Sequence, residues 1–267
     1  MSPEATRIPI DVRDKVREKY GEIAESKASD CCAPGCCGPG DAGQVLDAIG
    51  YTAEQAAAVP EGANLGLGCG NPLAHAGLRP GETVLDLGSG AGIDSFLAAR
   101  EVGPTGRVIG VDMTTAMLQR ARTNAARHGY ANVEFRLGEI EHLPVADASV
   151  DVVISNCVIN LSPQKAQVFR EAFRVLRPGG RLVVSDLVLV GELQPEIRSS
   201  LEAYVGCIAG ASFRDDYLDH VRGAGFTAVE VVQESRYSVG ADRLSDGTPM
   251  ERALEVVRSM KVSARKP

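Results

Sequence analysis

The sequence predicts a doubly wound α/β fold, in which one mostly parallel sheet carries helices on both faces. Short, almost wholly apolar strand segments alternate with amphipathic helix segments from residue 82 onward. A glycine-rich turn follows the first of these strands, as it does in nucleotide-binding α/β sheets. A length of 267 residues, 44% of them hydrophobic, is enough for one large core with a small appendage.

The strands and helices follow one another in a regular order. The predicted strands are residues 83–87, 107–112, 133–137, 150–155, 181–186 and 228–233. The predicted helices between them are residues 93–101, 115–129, 164–176 and 215–224. Residues 191–213 interrupt this alternation with a helix-like segment. We therefore expect an insertion after the fifth strand, where substrate-binding additions are usual.

The N-terminal sixty residues and the C-terminal tail follow different patterns. Residues 4–26 predict a polar helix with Val12, Val16 and Tyr20 on one face, and residues 43–58 a second, short helix. Between them, prolines and glycines interrupt a cysteine cluster and predict a mobile loop. The cluster comprises Cys31, Cys32, Cys36 and Cys37. Residues 253–262 predict either an amphipathic helix docked on the core or a frayed end.

Charge and composition exclude several classes of partner. The net charge of −7 and the lack of a basic block argue against a nucleic-acid partner. No apolar run has the length of a membrane span, and residues 1–20 lack the apolar segment of a signal peptide. We therefore expect no membrane partner and a cytoplasmic location. There the seven cysteines would be thiols, since an odd number also fits poorly with a purely structural set of disulfides.

Residues 86–92 form a glycine-rich turn between a strand and a helix, and Asp112 ends the next strand. Glycines let a ligand approach the backbone, and the Asp112 carboxylate can accept hydrogen bonds from ribose hydroxyls. The same residues could instead form only a tight turn and a helix cap. Three features favour S-adenosylmethionine over a dinucleotide. The Asp86 carboxylate attracts a cationic cofactor and disfavours a pyrophosphate, and the segment 138–141 can place a carboxylate and an apolar face against adenine. The third feature is the turn at 176–182, which leads into the fifth strand.

These motifs together resemble the class I methyltransferase family from about residue 80 to 190. The resemblance implies a seven-stranded sheet. We accordingly divide the chain into an N-terminal helix and cysteine-rich loop (1–60), a Rossmann-like S-adenosylmethionine domain (61–190), and a substrate-binding segment with elements that complete the sheet (191–267). The cofactor-binding residues that the resemblance implies are Asp86, Gly88, Ser89, Gly90, Asp112, Met113, Glu139, Ile140 and Asn156.

Three further cysteines follow strands or lie in loops near the expected cofactor. Segments 68–72, 156–160 and 206–210 closely resemble the arsenite methyltransferase family, and the match also includes residues 139–144 and 216–226. This resemblance implies that the segment 191–267 is arsenic-binding. The resemblance implies that Cys69, Cys157 and Cys207 hold As(III) as thiolates, and arsenic is a soft element that prefers sulfur. The arsenic lone pair would then attack the methyl group without a general base. The products would be methylated arsenicals, as in arsenic detoxification.

Methylation oxidises arsenic, and the resemblance implies that cysteine thiols return the electrons by forming a disulfide. Thioredoxin or glutathione would reset that disulfide, and Cys32 is assigned with the three cysteines above as catalytic. The N-terminal cluster could capture arsenic, resolve a disulfide with Cys69, bind zinc, or consist of incidental thiols. Adjacent cysteines fit zinc poorly, since zinc ligands are usually spaced by two or more residues.

Two other functions remain open from the sequence. The first is methyl transfer to a carbon or oxygen of a small metabolite such as a quinone precursor, which the same sheet would support. Such acceptors need a base or an aromatic pocket, and this chain has only six Phe, six Tyr and no Trp. The second is an arsenic- or metal-sensing module, which would need a DNA-binding element that the sequence lacks.

Overall fold

The computed structural model describes residues 12–25, 42–237 and 248–267. Within these residues one mixed sheet contains eight strands, seven of them in the order β3-β2-β1-β4-β5-β8-β7, with the short β6 beside β5. The strands are β1 Thr83–Leu87, β2 Arg107–Asp112, β3 Val133–Leu137, β4 Val150–Asn156, β5 Leu176–Leu189, β6 Ser212–Phe213, β7 Thr227–Arg236 and β8 Val257–Arg265. Strands β1 to β5 are parallel, and β8 is antiparallel to both of its neighbours.

The helices flank this sheet and link its strands. They are α1 Val12–Glu25, α2 Ala42–Ala48, α3 Ala53–Ala58, α4 Leu73–Ala76, α5 Ile93–Val102, α6 Thr115–Arg127, α7 Lys165–Val175, α8 Pro195–Arg198, α9 Leu201–Val205, α10 Arg214–Gly223 and α11 Pro249–Val256. A 3-10 turn spans Ile159–Leu161. None of the helices in the described residues combines the length and the apolarity that a membrane span requires.

Both faces of the sheet are covered, which confirms the predicted doubly wound fold. Alternate residues of a strand point to opposite faces. Leu85 therefore lies in a core cluster with Phe169 of α7 and Tyr217 of α10. Its neighbour Val84 lies in a second cluster, with Leu97 of α5. Both faces of β1 are thus buried, as its continuous apolar sequence predicts.

The C-terminal segment differs from the prediction. Residues 257–262 belong to β8, which lies between β5 and β7, and not to a helix or a frayed end. Met260, Val262 and Ala264 recur at every second position and are fully buried in one core cluster. That period of two is the period of a strand, and β8 is the seventh strand that the family resemblance implies.

Two other segments are divided more finely than predicted. Residues 43–58 form two helices, because Gly50 adopts φ +95 and turns the chain between α2 and α3. Helix α3 then begins with a capping box in which Thr52 and Gln55 bond each other's backbone N–H. The helix-like segment 191–213 contains α8, α9 and β6. Residues 4–11 and the N-terminal cysteine cluster lie outside the described residues.

Candidate active site

A cleft opens at the carboxyl ends of β1, β2 and β4, the edge where parallel α/β sheets bind ligands. Its floor includes Asp86, Asp112 and the glycine-rich turn 88–90. Helix α1 covers one side, where Val16 and Tyr20 line the cleft. The Tyr20 hydroxyl donates to the carbonyl of Val205 at 3.2 Å. The predicted cofactor motif and the inserted segment thus meet at one site.

The glycine-rich turn needs glycine for two different reasons. Gly88 has φ +67, and a Cβ there would lie 2.4 Å from Cγ2 of Val158. Gly90 has φ +51, and a Cβ there would meet no atom within 4 Å. The backbone N–H of Gly90 donates to Oδ2 of Asp112 at 2.9 Å, and Thr114 N–H donates to Oδ1 at 2.8 Å. Asp112 therefore secures the turn, which is one of the two roles that the sequence left open, and it also lines the cleft, where ribose binding stays a prediction.

Two buried carboxylates lie side by side on the cleft floor. Asp86 accepts a hydrogen bond from Ser95 Oγ at 2.7 Å. Asp94, in the first turn of α5, accepts from the Tyr51 hydroxyl at 2.7 Å and from Asn156 Nδ2 at 3.2 Å. Burial raises the pKa of Asp94 to about 6, and burial together with the charge of Asp94 raises the pKa of Asp86 well above its usual range. Asp86 is predicted from the sequence, whereas Asp94 and Tyr51 are not.

This floor fits a cationic cofactor. Burial also raises the pKa of Asp112. Among the described residues, no Lys, Arg or His nitrogen lies within 4 Å of the Asp86, Asp94 or Asp112 carboxylates. The buried Ser89 hydroxyl, which also borders the cleft, has no hydrogen-bond partner among these residues. Uncompensated buried carboxylates favour a positively charged ligand and oppose a pyrophosphate. S-adenosylmethionine fits this requirement, whereas a dinucleotide does not.

The segment after β3 is placed differently from the prediction in one respect. Ile140 and Glu141 line the cleft, as does Met113 after β2. The Glu139 carboxylate instead faces α1, where it accepts from Arg13 at 2.7 Å and from Arg17 at 3.3 Å. The Glu139 side chain, which the sequence assigned to the cofactor, is therefore paired with arginines of α1 in the ligand-free protein. The acidic side chain of this segment that borders the cleft is Glu141, which accepts from Ser162 Oγ at 2.5 Å.

The three cysteines converge at the other end of the cleft. Cys69 comes from the loop before α4, Cys157 follows β4, and Cys207 follows α9. The sulfurs of Cys69 and Cys157 and a carboxylate oxygen of Asp186 all lie within 4.8 Å of one another. The Cys207 thiol donates to the carbonyl of Cys157 at 2.8 Å. Asn156 connects the two ends, because its Oδ1 accepts from the Cys69 N–H at 3.1 Å.

The thiols are held in a strained, buried arrangement. Cys157 and Cys207 have φ +58 and +63, a conformation that costs a non-glycine residue about 1–2 kcal/mol and that often marks functional sites. Burial raises the pKa of Cys69, and it raises the pKa of Cys157 well above the ordinary value of 9.0. Both thiols therefore carry their protons at neutral pH in the free protein.

Asp186, at the end of the predicted fifth strand, is a neighbour of the thiols that the sequence did not reveal. Its Oδ1 accepts from Asn160 Nδ2 at 2.8 Å, and Oδ2 lies 3.3 Å from the Tyr217 hydroxyl. Burial raises its pKa to about 7. Cys32, the remaining cysteine assigned as catalytic, lies outside the described residues.

Several known proteins are similar to this chain in sequence and in fold. Residues 78–239 match a family model described as a methyltransferase domain. The chain is 49% identical to an arsenite methyltransferase from Halobacterium salinarum, over 98% of this chain and 68% of that protein. It is 44% identical to an arsenite methyltransferase from Aquipseudomonas alcaligenes, over 67% of this chain and 53% of that protein. The crystal structure of an arsenic(III) S-adenosylmethionine methyltransferase from Chlamydomonas reinhardtii matches with a TM-score of 0.64 and 36% identity, over 85% of this chain and 74% of that one. The chain thus spans between about half and three quarters of the length of these three relatives.

Proposed function

This chain belongs to the family of S-adenosylmethionine-dependent arsenite methyltransferases, and from that premise we propose that it transfers methyl groups from S-adenosylmethionine to trivalent arsenic. One observation carries the proposal. Cys69, Cys157 and Cys207 come from three separate segments and meet beside an acid-lined cleft. A carbon or oxygen acceptor would not need such a set of thiols, and the relatives do not favour that alternative.

The protonation state of the thiols supports arsenite as the acceptor. Arsenite at neutral pH is the uncharged acid As(OH)3. Each thiol that replaces a hydroxyl releases one water, so three neutral thiols and As(OH)3 give a neutral trithiolate and three waters. A divalent cation would instead require loss of the thiol protons before binding. Burial raises the pKa of Cys69 and Cys157, and therefore favours a neutral acid over a divalent cation.

The donor half of the cleft would hold the cofactor through three kinds of group. Asp86 and Asp112 supply negative charge, the turn at Gly88, Ser89 and Gly90 admits a ligand close to the backbone, and Met113 and Ile140 supply apolar surface. When bound, S-adenosylmethionine supplies a methyl group on a positively charged sulfur. The residues of this chain orient the acceptor and exclude water, and such positioning contributes several kcal/mol to catalysis in general. The arsenic lone pair is the nucleophile, so no side chain has to remove a proton from the acceptor.

Methyl transfer raises arsenic from the trivalent to the pentavalent state. Two electrons return it to the trivalent state when two cysteine sulfurs join in a disulfide. An external dithiol or thiol, of the thioredoxin or glutathione type, then reduces that disulfide by thiol exchange. We assign Cys32 to this redox step with Cys69, which is one of the roles open to the N-terminal cysteine cluster.

The test is direct. Reduced protein, S-adenosylmethionine, a thiol reductant and arsenite are mixed, and methylated arsenicals are measured by mass spectrometry. Cys157→Ser and Cys207→Ser should each lower product formation at least about 100-fold, because a hydroxyl does not replace a soft thiolate ligand. Both variants should bind S-adenosylmethionine with nearly unchanged affinity. Full activity in either variant would refute the three-thiol site. A wild-type protein that binds the donor but forms no methylated arsenic would point to an organic acceptor.

A further inference from the structure

Asp86 and Asp94 form a buried acid pair without a positively charged partner. The two residues are only 2% and 4% exposed. Within residues 12–25, 42–237 and 248–267, no basic nitrogen lies within 4 Å of either carboxylate. Two negative charges that are buried together without a cation repel each other and lose their hydration. The pair therefore keeps a proton to a higher pH than isolated carboxyl groups would.

The hydrogen bonds of the pair are too few to offset this burial. Asp86 has the Ser95 hydroxyl, and Asp94 has the Tyr51 hydroxyl and the Asn156 amide. The titratable groups that face the pair are Tyr51 and Asp112, and the negative charge of Asp112 also disfavours ionisation of Asp86. The Tyr51 and Asn156 hydrogen bonds lower the pKa of Asp94, yet burial outweighs them and leaves it at about 6.

We propose that Asp94 is a specificity-determining residue of the donor site, which with Asp86 holds a proton in the free protein and releases it to solvent when a cationic donor binds. This inference rests on the donor half of the proposed function and does not depend on arsenic. The entering positive charge supplies the counterion that the pair lacks, so both carboxylates can ionise. A ligand without that charge would leave the proton in place and bind the same site more weakly.

The test measures protons rather than turnover. S-adenosylmethionine is titrated calorimetrically into the protein at pH 6 in two buffers of different ionisation enthalpy, and the difference in heat gives the number of protons released. Asp94 is about half protonated at this pH, so we expect about 0.5 proton or more per donor bound. Asp94→Asn should release fewer protons than wild type, because only Asp86 can then hold one, and it should bind the donor at least about 10-fold more weakly. The exposed Asp47→Asn is the matched control and should behave as wild type.

Two further measurements use a second ligand, S-adenosylhomocysteine, and a second variant, Tyr51→Phe. S-adenosylhomocysteine has the same ammonium group but a neutral sulfur. Equal proton release with this ligand would assign the interaction to the ammonium, and a smaller release would assign it to the sulfonium. Tyr51→Phe removes a hydrogen bond that lowers the pKa of Asp94. This variant should therefore release more protons at pH 7 than wild type, and it keeps the test available if Asp94→Asn does not fold.

Three outcomes would overturn the inference. They are the absence of proton release in the wild type, equal release in wild type and Asp94→Asn, and equal release at pH 7 in wild type and Tyr51→Phe. A protein that releases protons on binding the donor but never methylates arsenic would refute the proposed acceptor and leave the role of Asp94 intact.

Discussion

Substitution of alanine at Gly88 is a sharp test of how the glycine-rich turn forms the cleft. A Cβ at this position would lie 2.4 Å from Cγ2 of Val158 and 2.7 Å from its Cβ. Rotation of the Val158 side chain could relieve the first contact but not the second, since Cβ moves only with the backbone. The turn and the segment that carries Cys157 would therefore have to separate.

The expected loss of stability combines two terms. A left-handed φ costs alanine about 1–2 kcal/mol, and an overpacked contact costs roughly 1–3 kcal/mol more. Gly88→Ala should therefore lower the free energy of unfolding by roughly 2–5 kcal/mol. Gly129 has φ +70, and a Cβ there would meet no atom within 4 Å, so Gly129→Ala should lose only the first term. Gly90 has the same open surroundings, but it lines the cleft.

Urea unfolding of the three alanine variants gives the free energies, and calorimetric titration gives the affinity for S-adenosylmethionine. Gly90→Ala should match Gly129→Ala in stability but lose at least about 10-fold in donor affinity, because its methyl group enters ligand space. Gly129→Ala should keep wild-type affinity. If Gly88→Ala were as stable as Gly129→Ala, the close packing of Val158 against the turn would be wrong. Unchanged affinity in Gly90→Ala would show that the donor does not approach this turn.

Two further predictions concern the acidic floor. Asp112→Ala removes the acceptor of the Gly90 and Thr114 N–H groups. The affinity for S-adenosylmethionine should fall at least about 10-fold, and the free energy of unfolding should fall by about 1–2 kcal/mol. An unchanged affinity would contradict the ribose-binding role. Asp94 has a folded pKa of about 6 against 3.8 when exposed, so the folded state binds more protons between these values and ligand-free stability should fall as pH rises from about 4 to 6. The loss is on the order of 3 kcal/mol, and Asp94→Asn should flatten the stability profile measured by urea unfolding; an equally steep profile would contradict it.

The first strands could be predicted because their signals are local. The bounds of β1, β2 and β3 agree with the prediction, since β1 and β2 are short, mostly apolar segments and β3 alternates apolar and charged residues before Gly138. Strand β8 has no such signal. It is stabilised by pairing with β5 and β7, and its partners are distant in the chain. The apolar residues Ala253, Val257, Met260 and Ala264 are also spaced by three or four positions, which fits one face of a helix.

The candidate site could be predicted only where a residue belongs to a recognisable motif. Asp86 and Cys157 belong to such motifs. Asp94 does not, because an acid in the first turn of a helix is common and ordinarily stabilises the helix dipole. Tyr51 lies more than forty positions away in the chain and reaches Asp94 only through the fold. Glu139 shows the opposite case, since its motif predicts a ligand contact whereas its carboxylate is bonded to two arginines of α1 in the ligand-free protein.

The two ends of the cleft favour ligands of different charge, and Asn156 contacts both ends. The donor end keeps carboxylates without cations, so it gains from a positive ligand. The acceptor end keeps protonated thiols, so it gains from a neutral one. Asn156 contacts both ends, because its amide donates to Asp94 and to the Gly70 carbonyl while its Oδ1 accepts from Cys69. The Cys69 backbone and the Asp94 carboxylate are thus bonded to the same half-buried amide, so a substitution at Asn156 should disturb the donor end and the acceptor end together.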